Sequence, residues 1–319
     1  MFIILFFYVN MYIKERYNYM SNKFDYYKKQ IRLNKYFYSI FLGKKAMTMK
    51  YFEKAHGYSY DFKNPITFSE KLNSRKLEKN KLYSLCADKI KVKEYVERKI
   101  GKKYVIPTYF TSNNMTLDLY DKMPKSCVLK TANGSGTLVV IKDKTKEDKQ
   151  KIINLMNEYL KVDFSYIWGE MFYKKVSKGI ICEKLLLDEN NEVPSDYKFH
   201  VFNNSGKTKI FVQVDFSRFK KHTRNIYDEK FNFIDMRLSD LDNNYDMKKM
   251  KKPKNYDEMI EVAKKLAEDF DYVRVDLYNL NGKIYFGELT FTHGAALEKF
   301  YPNKYDKQWG SYWRQKWKR

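Results

Sequence analysis

Two carboxylates and a guanidinium flank a tight turn in DYVRVDLYNLNGKIYFGELTF, residues 271–291, the stretch of the chain that says most about chemistry. Val273, Val275 and Leu277 alternate with Arg274, Asp276 and Tyr278, and a period of two puts Arg274 and Asp276 on one face of a strand. Asn281-Gly282 then turns the chain back on itself. Counting outward from that turn, Asp276 falls opposite Glu288 to within a residue or two. Carboxylates that close repel unless a cation lies between them. A few carboxylate oxygens, with the remaining ligands supplied by substrate phosphates, is the coordination pattern of Mg²⁺. An Arg–carboxylate cluster on a solvated sheet face is the equal alternative.

Three further pieces carry less on their own. Lys130 ends a β-rich run at 127–130, ahead of the loop Asn133-Gly134-Ser135-Gly136 and a second run at 138–142. A Lys at a strand end beside open backbone N–H groups suits phosphate oxygens. The spacing is neither GxxxxGKS nor GxGxxG, and a flexible glycine hairpin reads equally well. Glu183, in the apolar run 179–187, offers an acceptor for an adenine amine, and the apolar backbone after it offers an N–H; a plain strand exit is the alternative. Lys198, in Asp196-Tyr197-Lys198, sits inside a strand-like run, where it costs stability unless it meets an anion. His200 and His293 read as packed or exposed side chains.

These residues need elements to hold them. Thr67-Phe-Ser-Glu70 is a capping box, predicting a helix to about residue 79. Asp88 is a cap for a second helix, with Val92, Tyr95 and Val96 at helical spacing and Gly101 as the stop. Pro107 makes 104–110 an edge strand or a strand start. Residues 145–161 read as an amphipathic helix. Strands are predicted at 196–202 and 207–214, joined at 203–206, and at 272–278 and 283–290. A polar surface loop is expected at 237–254. Met259, Ile260, Val262, Ala263, Leu266, Ala267 and Phe270 form the apolar stripe of a helix at 256–270, opened by Asn255 and Glu258 as a variant capping box. The tail at 301–319 is aromatic and basic, without a readable motif.

Composition narrows the class. The 319 residues are 44% hydrophobic, enough to bury a sizeable core and to exclude wholesale disorder. No internal repeat suggests a solenoid. Cys86, Cys127 and Cys182 are far apart in sequence, which excludes a disulfide scaffold and a CxxC site. The net charge of +23 suits an anionic glycan, a membrane surface or nucleic acid. The basic residues are mostly Lys, spread along a chain also rich in Ile, Asn, Tyr and Phe, so coding bias accounts for much of the charge. With no nucleic-acid-binding motif, nucleic acid is a minor partner class. Residues 1–12 are apolar but too few to span a bilayer. They read as a buried helix, an interfacial segment giving peripheral membrane association, or a product of an upstream start, with Met11 and Met20 as alternatives. The body is expected to be cytoplasmic, lying at most against the inner membrane face.

The order of these pieces resembles the ATP-grasp fold, and more closely the TupA-like ATP-grasp family, associated with teichuronopeptide and other cell-surface polysaccharides. The resemblance rests on Asn64-Pro-Ile-Thr-Phe-Ser-Glu-Lys71, Asp88-Lys89, Cys127-Val-Leu-Lys130, Gly134-Ser-Gly136, Glu183-Lys184, Asp196-Tyr-Lys198, and Val273 to Tyr278 with Phe286-Gly-Glu-Leu-Thr-Phe291. It implies an α+β fold in which two subdomains, about 85–160 and 161–300, clamp ATP within a domain at 61–300. A helical extension, 1–60, precedes that domain and the tail follows it. It assigns Lys89 and Lys130 to the ATP phosphates, Gly134, Ser135 and Gly136 to the loop closing over them, and Glu183 and Leu186 to the adenine. Lys198 falls near the γ-phosphate, Asp276 and Glu288 on Mg²⁺, and Arg274 on the transferred group. Thr290 stands where the family fold usually has an Asn as third metal ligand. The implied activity is an ADP-forming carboxylate–amine ligase that works through an acyl phosphate, on an anionic glycan or a uronic acid and an amino acid. A glycosyltransferase of a capsule locus, for which Asp240-Leu-Asp242 and Asp269-Phe-Asp271 are weak DxD matches, a kinase with the same clamp, and a non-catalytic adaptor are the alternatives.

Overall fold

The computed structural model describes residues 25, 28, 29, 31, 43–189, 191–194, 196–204, 206–216 and 222–315. The apolar segment 1–12 lies outside these residues, as do its reading as a helix and its alternative starts. Among the described residues no helix is long and apolar enough to cross a membrane.

Two antiparallel sheets form the frame. The smaller consists of β1 (Thr108–Ser112), β2 (Cys127–Thr131), β3 (Leu138–Ile141) and β4 (Ile180–Glu183), in the order β1-β4-β2-β3. The larger takes β5 (Asp196–Asn204), β6 (Lys207–Phe216), β7 (Thr223–Asp228) and β8 (Phe233–Ile234), then, after the short β9 (Arg237–Leu238), β10 (Tyr272–Leu280) and β11 (Lys283–Thr290). Its order is β11-β10-β5-β6-β7-β8, and β9 pairs instead with β12 (Phe300–Tyr301).

Burial follows the strand period. In the small sheet Cys127, Leu129, Val139 and Ile141 face a core shared with Ile152, Met156 and Tyr159 of the helix Lys149–Leu160. Pro107, which has no N–H to give a ladder, precedes the edge strand β1 as expected. In the large sheet Phe199, Val201, Val212, Val214, Val273 and Val275 pack with Met259, Ala263 and Leu266 of the helix Tyr256–Ala267. The alternate residues of the same strands form the other face, which carries the polar groups of the site.

The Thr67 box forms: Thr67 Oγ1 accepts from Glu70 N at 3.3 Å and Glu70 Oε2 accepts from Thr67 N at 3.1 Å. That helix, Phe68–Arg75, stops short of 79, because Asn80 opens a new helix, Lys81–Ala87, by accepting from Leu82 N at 2.9 Å. Asp88 Oδ1 accepts from Ile90 N and Lys91 N ahead of the helix Val92–Ile100, which ends at Gly101 with φ +100°. The capping box at Asn255 does not form. Asn255 has a left-handed φ of 59°, its Nδ2 donates to Gly282 O at 2.8 Å, and Glu258 accepts from the Tyr104 hydroxyl at 2.5 Å. The apolar run at 179–187 leaves the ladder at Glu183, where Lys184 N donates to Pro107 O. The expected loop at 237–254 contains β9 and a 3₁₀ turn, Tyr245–Met247.

Two boundaries move. β4 lies between β1 and β2, so the small layer extends beyond residue 160. The tail is not an appendage: the helix Lys304–Tyr312 buries Trp309, and Trp313 follows it into a core with Phe68, Phe202, Phe211 and Tyr272. Trp309 stacks on Phe211 with centroids 4.6 Å apart, and Asp306 Oδ1 accepts from Ser69 N at 2.8 Å.

Gly310 sets the closeness of that contact. A Cβ there would meet Ile66 O at 2.4 Å and Phe68 N at 2.9 Å, both backbone atoms that cannot swing aside. Gly310→Ala is therefore expected to destabilise the fold by about 1–3 kcal/mol. Urea denaturation monitored by tryptophan fluorescence measures this, and an unchanged midpoint would contradict the packing described.

Candidate active site

The polar face of the large sheet is organised by register. Glu288, Asp276, Lys198 and Gln213 stand in one row across β11, β10, β5 and β6, and Thr290, Arg274, His200 and Phe211 stand in the next. The Asn281-Gly282 turn, with φ of 52° and 97°, starts the hairpin. A bulge at Gly287 adds the residue that brings Glu288 directly opposite Asp276. A Cβ on Gly287 would meet Asp276 O at 3.0 Å, so the bulge suits glycine.

Arg274 ties the two rows together. Its Nε and one terminal nitrogen donate to the two Asp276 oxygens, each at 2.7 Å. That terminal nitrogen also lies 3.3 Å from Glu288 Oε1 and 3.1 Å from Thr290 Oγ1. The guanidinium supplies positive charge to both facing carboxylates. Lys198 Nζ meets Asp196 at 2.7 Å, Asp215 at 3.4 Å and Asp276 at 3.6 Å, which answers the cost of a Lys in this strand. Burial pushes the Asp276 carboxyl up, against the pull of Arg274 and Lys198. Burial also opposes ionisation of Glu288, but Lys89, Arg274 and Lys198 hold it below the usual range. His200 is buried, with one ring nitrogen 2.9 Å from the Tyr272 hydroxyl and the other 3.1 Å from Gln213 Oε1. Burial keeps its pKa low, the packed reading.

The small sheet supplies the opposing wall. A cleft of about 370 Å³ is lined by Lys89, Lys93, Lys130, Ser135 and Glu183 on one side and by Arg274, Glu288 and Thr290 on the other. Glu183 is buried at the end of β4 and accepts from Lys93 at 2.5 Å and Lys130 at 2.7 Å. Burial works against its charge, yet the two lysines hold it below the usual carboxylate range. Lys89 donates to Gly134 O, and burial pushes its ammonium down while Glu288 supports it. The loop between β2 and β3 is pinned at its base, where the Thr131 and Thr137 hydroxyls lie 2.6 Å apart and Thr131 N donates to Thr137 O. The loop is thus the tip of the β2–β3 hairpin, closed at its root.

Seven of the expected residues line the cleft: Lys89, Lys130, Ser135, Glu183, Arg274, Glu288 and Thr290. Asp276 and Lys198 lie behind them, 6% and 5% exposed, with Asp276 against Arg274 and Lys198 against the carboxylate row. Gly134 touches the site through Lys89, Gly136 lies in the pinned loop, and Leu186 packs with Ile106 and Tyr285. Lys93 went unread; it stands in the first turn of the helix Val92–Ile100, and Lys89 in the turn that precedes it. Glu170, Thr292 and the cleft-lining role of His293 lie in stretches with no period to mark them.

Mg²⁺ suits this donor set. Asp276 and Glu288 are hard oxygen donors, Glu288 has a half-exposed side chain, and Thr290 Oγ1 lies 3.1 Å from Glu288 Oε1. Among the described residues no cluster of three or more acidic, His or Cys side chains forms a complete cage. Such a site fits an ion that draws its remaining ligands from phosphates and water.

Two α+β layers closing on a cleft of lysines and sheet-borne carboxylates define an ATP-grasp fold. The chain belongs to the TupA-like ATPgrasp family, whose sequence model matches residues 70–314. No curated protein sequence matches it. Among solved structures it is similar to the D-alanine–D-alanine ligase of Helicobacter pylori, at 15% identity and a TM-score of 0.38 over 66% of this chain and 56% of the ligase. It is also similar to the phosphoribosylamine–glycine ligase of Thermotoga maritima, at 12% identity and a TM-score of 0.38 over 68% of this chain and 52% of that one. A third similarity is to an ATP-grasp ligase of Chryseobacterium gregarium, at 11% identity and a TM-score of 0.33 over 69% of this chain and 56% of that one. The chain therefore spans little more than half the length of these ligases.

Arg274 and Glu288 are expected to respond differently to neutralisation. Arg274→Met strips the buried Asp276 of its bidentate partner and is expected to cost about 3–5 kcal/mol of unfolding free energy. Glu288→Gln acts on a half-exposed side chain and is expected to cost under about 1 kcal/mol. Chemical denaturation of the two variants in parallel checks this, and equal losses would refute the described geometry.

Proposed function

We propose that the chain is an ATP- and Mg²⁺-dependent carboxylate–amine ligase that works through an acyl phosphate in the assembly of an anionic cell-surface polysaccharide. The observation that carries the reading is the convergence of Lys89, Lys93, Lys130, Arg274 and Glu288 on one cleft in a chain of this family. Cations in a partly desolvated cleft favour a bound triphosphate and the charge that develops in phosphoryl transfer. Lys89 and Lys130 hold phosphate oxygens, with Lys89 exchanging its contact to Gly134 O for the nucleotide. Glu183, held ionised by two lysines, accepts from the adenine amine. Glu288 and Asp276, with Thr290, would hold Mg²⁺, which when bound screens the phosphate charge and steadies the transferred group. Arg274 orients the oxygen of the substrate carboxylate that takes the phosphoryl group, and Lys198 balances Asp276 behind it. The substrate class rests on the family and on the net charge of +23.

Titration calorimetry is expected to show ATP binding that weakens when EDTA removes Mg²⁺, and no binding of UDP-glucose. Lys130→Met is expected to weaken ATP binding by about 10- to 100-fold, the loss of one charge-assisted contact. With a uronic acid, ATP and hydroxylamine, the chain is expected to release ADP and form a hydroxamate. A phosphorylated sugar without hydroxamate would replace the ligase by a kinase, and UDP-sugar binding without ATP binding would replace it by a glycosyltransferase.

A further inference from the structure

Beyond Thr290 the cleft wall continues onto Thr292 and His293, with Glu170 held against Thr292. Glu170 is buried, and one of its carboxylate oxygens accepts from Thr292 Oγ1. Behind it stands Lys76, wholly buried, its Nζ without a hydrogen-bond partner among the described residues, and Glu170 is the charge that offsets its burial. Burial pushes the Lys76 ammonium down to about 8 and the Glu170 carboxyl up, each against the pull of the other, and Glu170 lines the cleft. The other lining carboxylates face cations: Glu183 meets Lys93 and Lys130, and Glu288 meets Arg274. Glu170 is offset by the buried Lys76 and makes no ion pair with the cleft lysines among the described residues, so it is not taken up by the groups placed to hold phosphate.

His293 points to the same chemistry. Its Nδ1 lies 2.7 Å from Glu298 Oε2, which can only accept, so Nδ1 carries the hydrogen and Nε2 keeps its lone pair. Nε2 is buried and has no partner among the described residues. Burial lowers the ring's pKa, which favours this neutral form. Glu170 and His293 both line the cleft, and a carboxylate oxygen and an imidazole lone pair are acceptors that suit an amine and disfavour a carboxylate.

We propose that Glu170 and His293 form the amine subsite of the ligase, with Glu170 as the base that takes the first proton of the incoming ammonium. The proposal rests on the ligase reading above. The ammonium gives one proton to the Glu170 carboxylate, and the resulting amine, one N–H accepted by His293 Nε2, attacks the carbonyl carbon of the acyl phosphate through its lone pair. The C–N bond forms as the C–O bond to phosphorus breaks, and the second proton leaves with inorganic phosphate.

Two nucleophiles separate activation from amine capture. Hydroxylamine is uncharged at neutral pH and needs no base, whereas α-amino acids and glucosamine arrive protonated. The full chain is assayed with ATP, Mg²⁺ and glucuronic acid against hydroxylamine and against a panel of those amines. Glu170→Gln is expected to lower amine coupling by about 100-fold or more while hydroxamate formation falls less than about fivefold. Glu170→Asp, which keeps the charge, is expected to fall between Gln and wild type and serves if the Gln variant does not fold. Equal losses with both nucleophiles, or none with either, overturn the assignment, as does a wild type that forms hydroxamate but couples no amine of the panel. A wild type that forms neither product and releases no ADP refutes the ligase reading itself, and the amine subsite falls with it.

Discussion

The inner face of the large sheet is governed by one constraint: carboxylates brought into cross-strand register must be neutralised where they stand. Asp276 and Glu288 face each other across β10 and β11, and Asp196 and Asp215 approach from β5 and β6. Arg274 and Lys198, projecting from the same rows, hold this charge in place. Coulomb attraction between buried groups is strong enough to justify such a lattice only when few charges are left over. Once it closes, the strands cannot slip by a residue without exposing every pair, so the site and the sheet register are set together. The apolar face, packed on the helix Tyr256–Ala267, enforces the same register from the other side.

The small sheet solves a different problem, presenting excess positive charge to a cleft without letting it collapse. Glu183 sits between Lys93 and Lys130 and fixes both ammonium groups at the wall. Lys89 is parked on the Gly134 carbonyl. Each lysine is held in place by an acceptor of the protein, so the positive charge of this wall is ordered by the fold itself.

What was legible in the sequence was what local rules control. The Asn281-Gly282 turn and the alternation around it located the Asp276–Glu288 pair, and the remaining ambiguity of a residue or two was the bulge at Gly287, which no periodicity reveals. The Thr67 box was readable because both of its hydrogen bonds are made within one turn. Asn255 misled, since a left-handed Asn facing Gly282 has the same local sequence as a cap. Glu170 and Lys76 were invisible because their meaning is tertiary: one lies in irregular chain, the other just after a helix, and only the fold brings them together. The C-terminal helix escaped for the same reason, its two tryptophans reading as a tail until Phe68 is placed beneath them.

That last contact has a temporal side. Phe68 belongs to an early part of the chain and Trp309 and Trp313 to a late one, yet they share a core with Phe202, Phe211 and Tyr272. During synthesis this aromatic face stays uncovered until nearly the whole clamp has left the ribosome. Closing so long a loop defers folding of that region. Between the synthesis of Tyr272 and that of Trp313 this face has no cover, and completion of its core waits on a segment that is absent from the cleft lining.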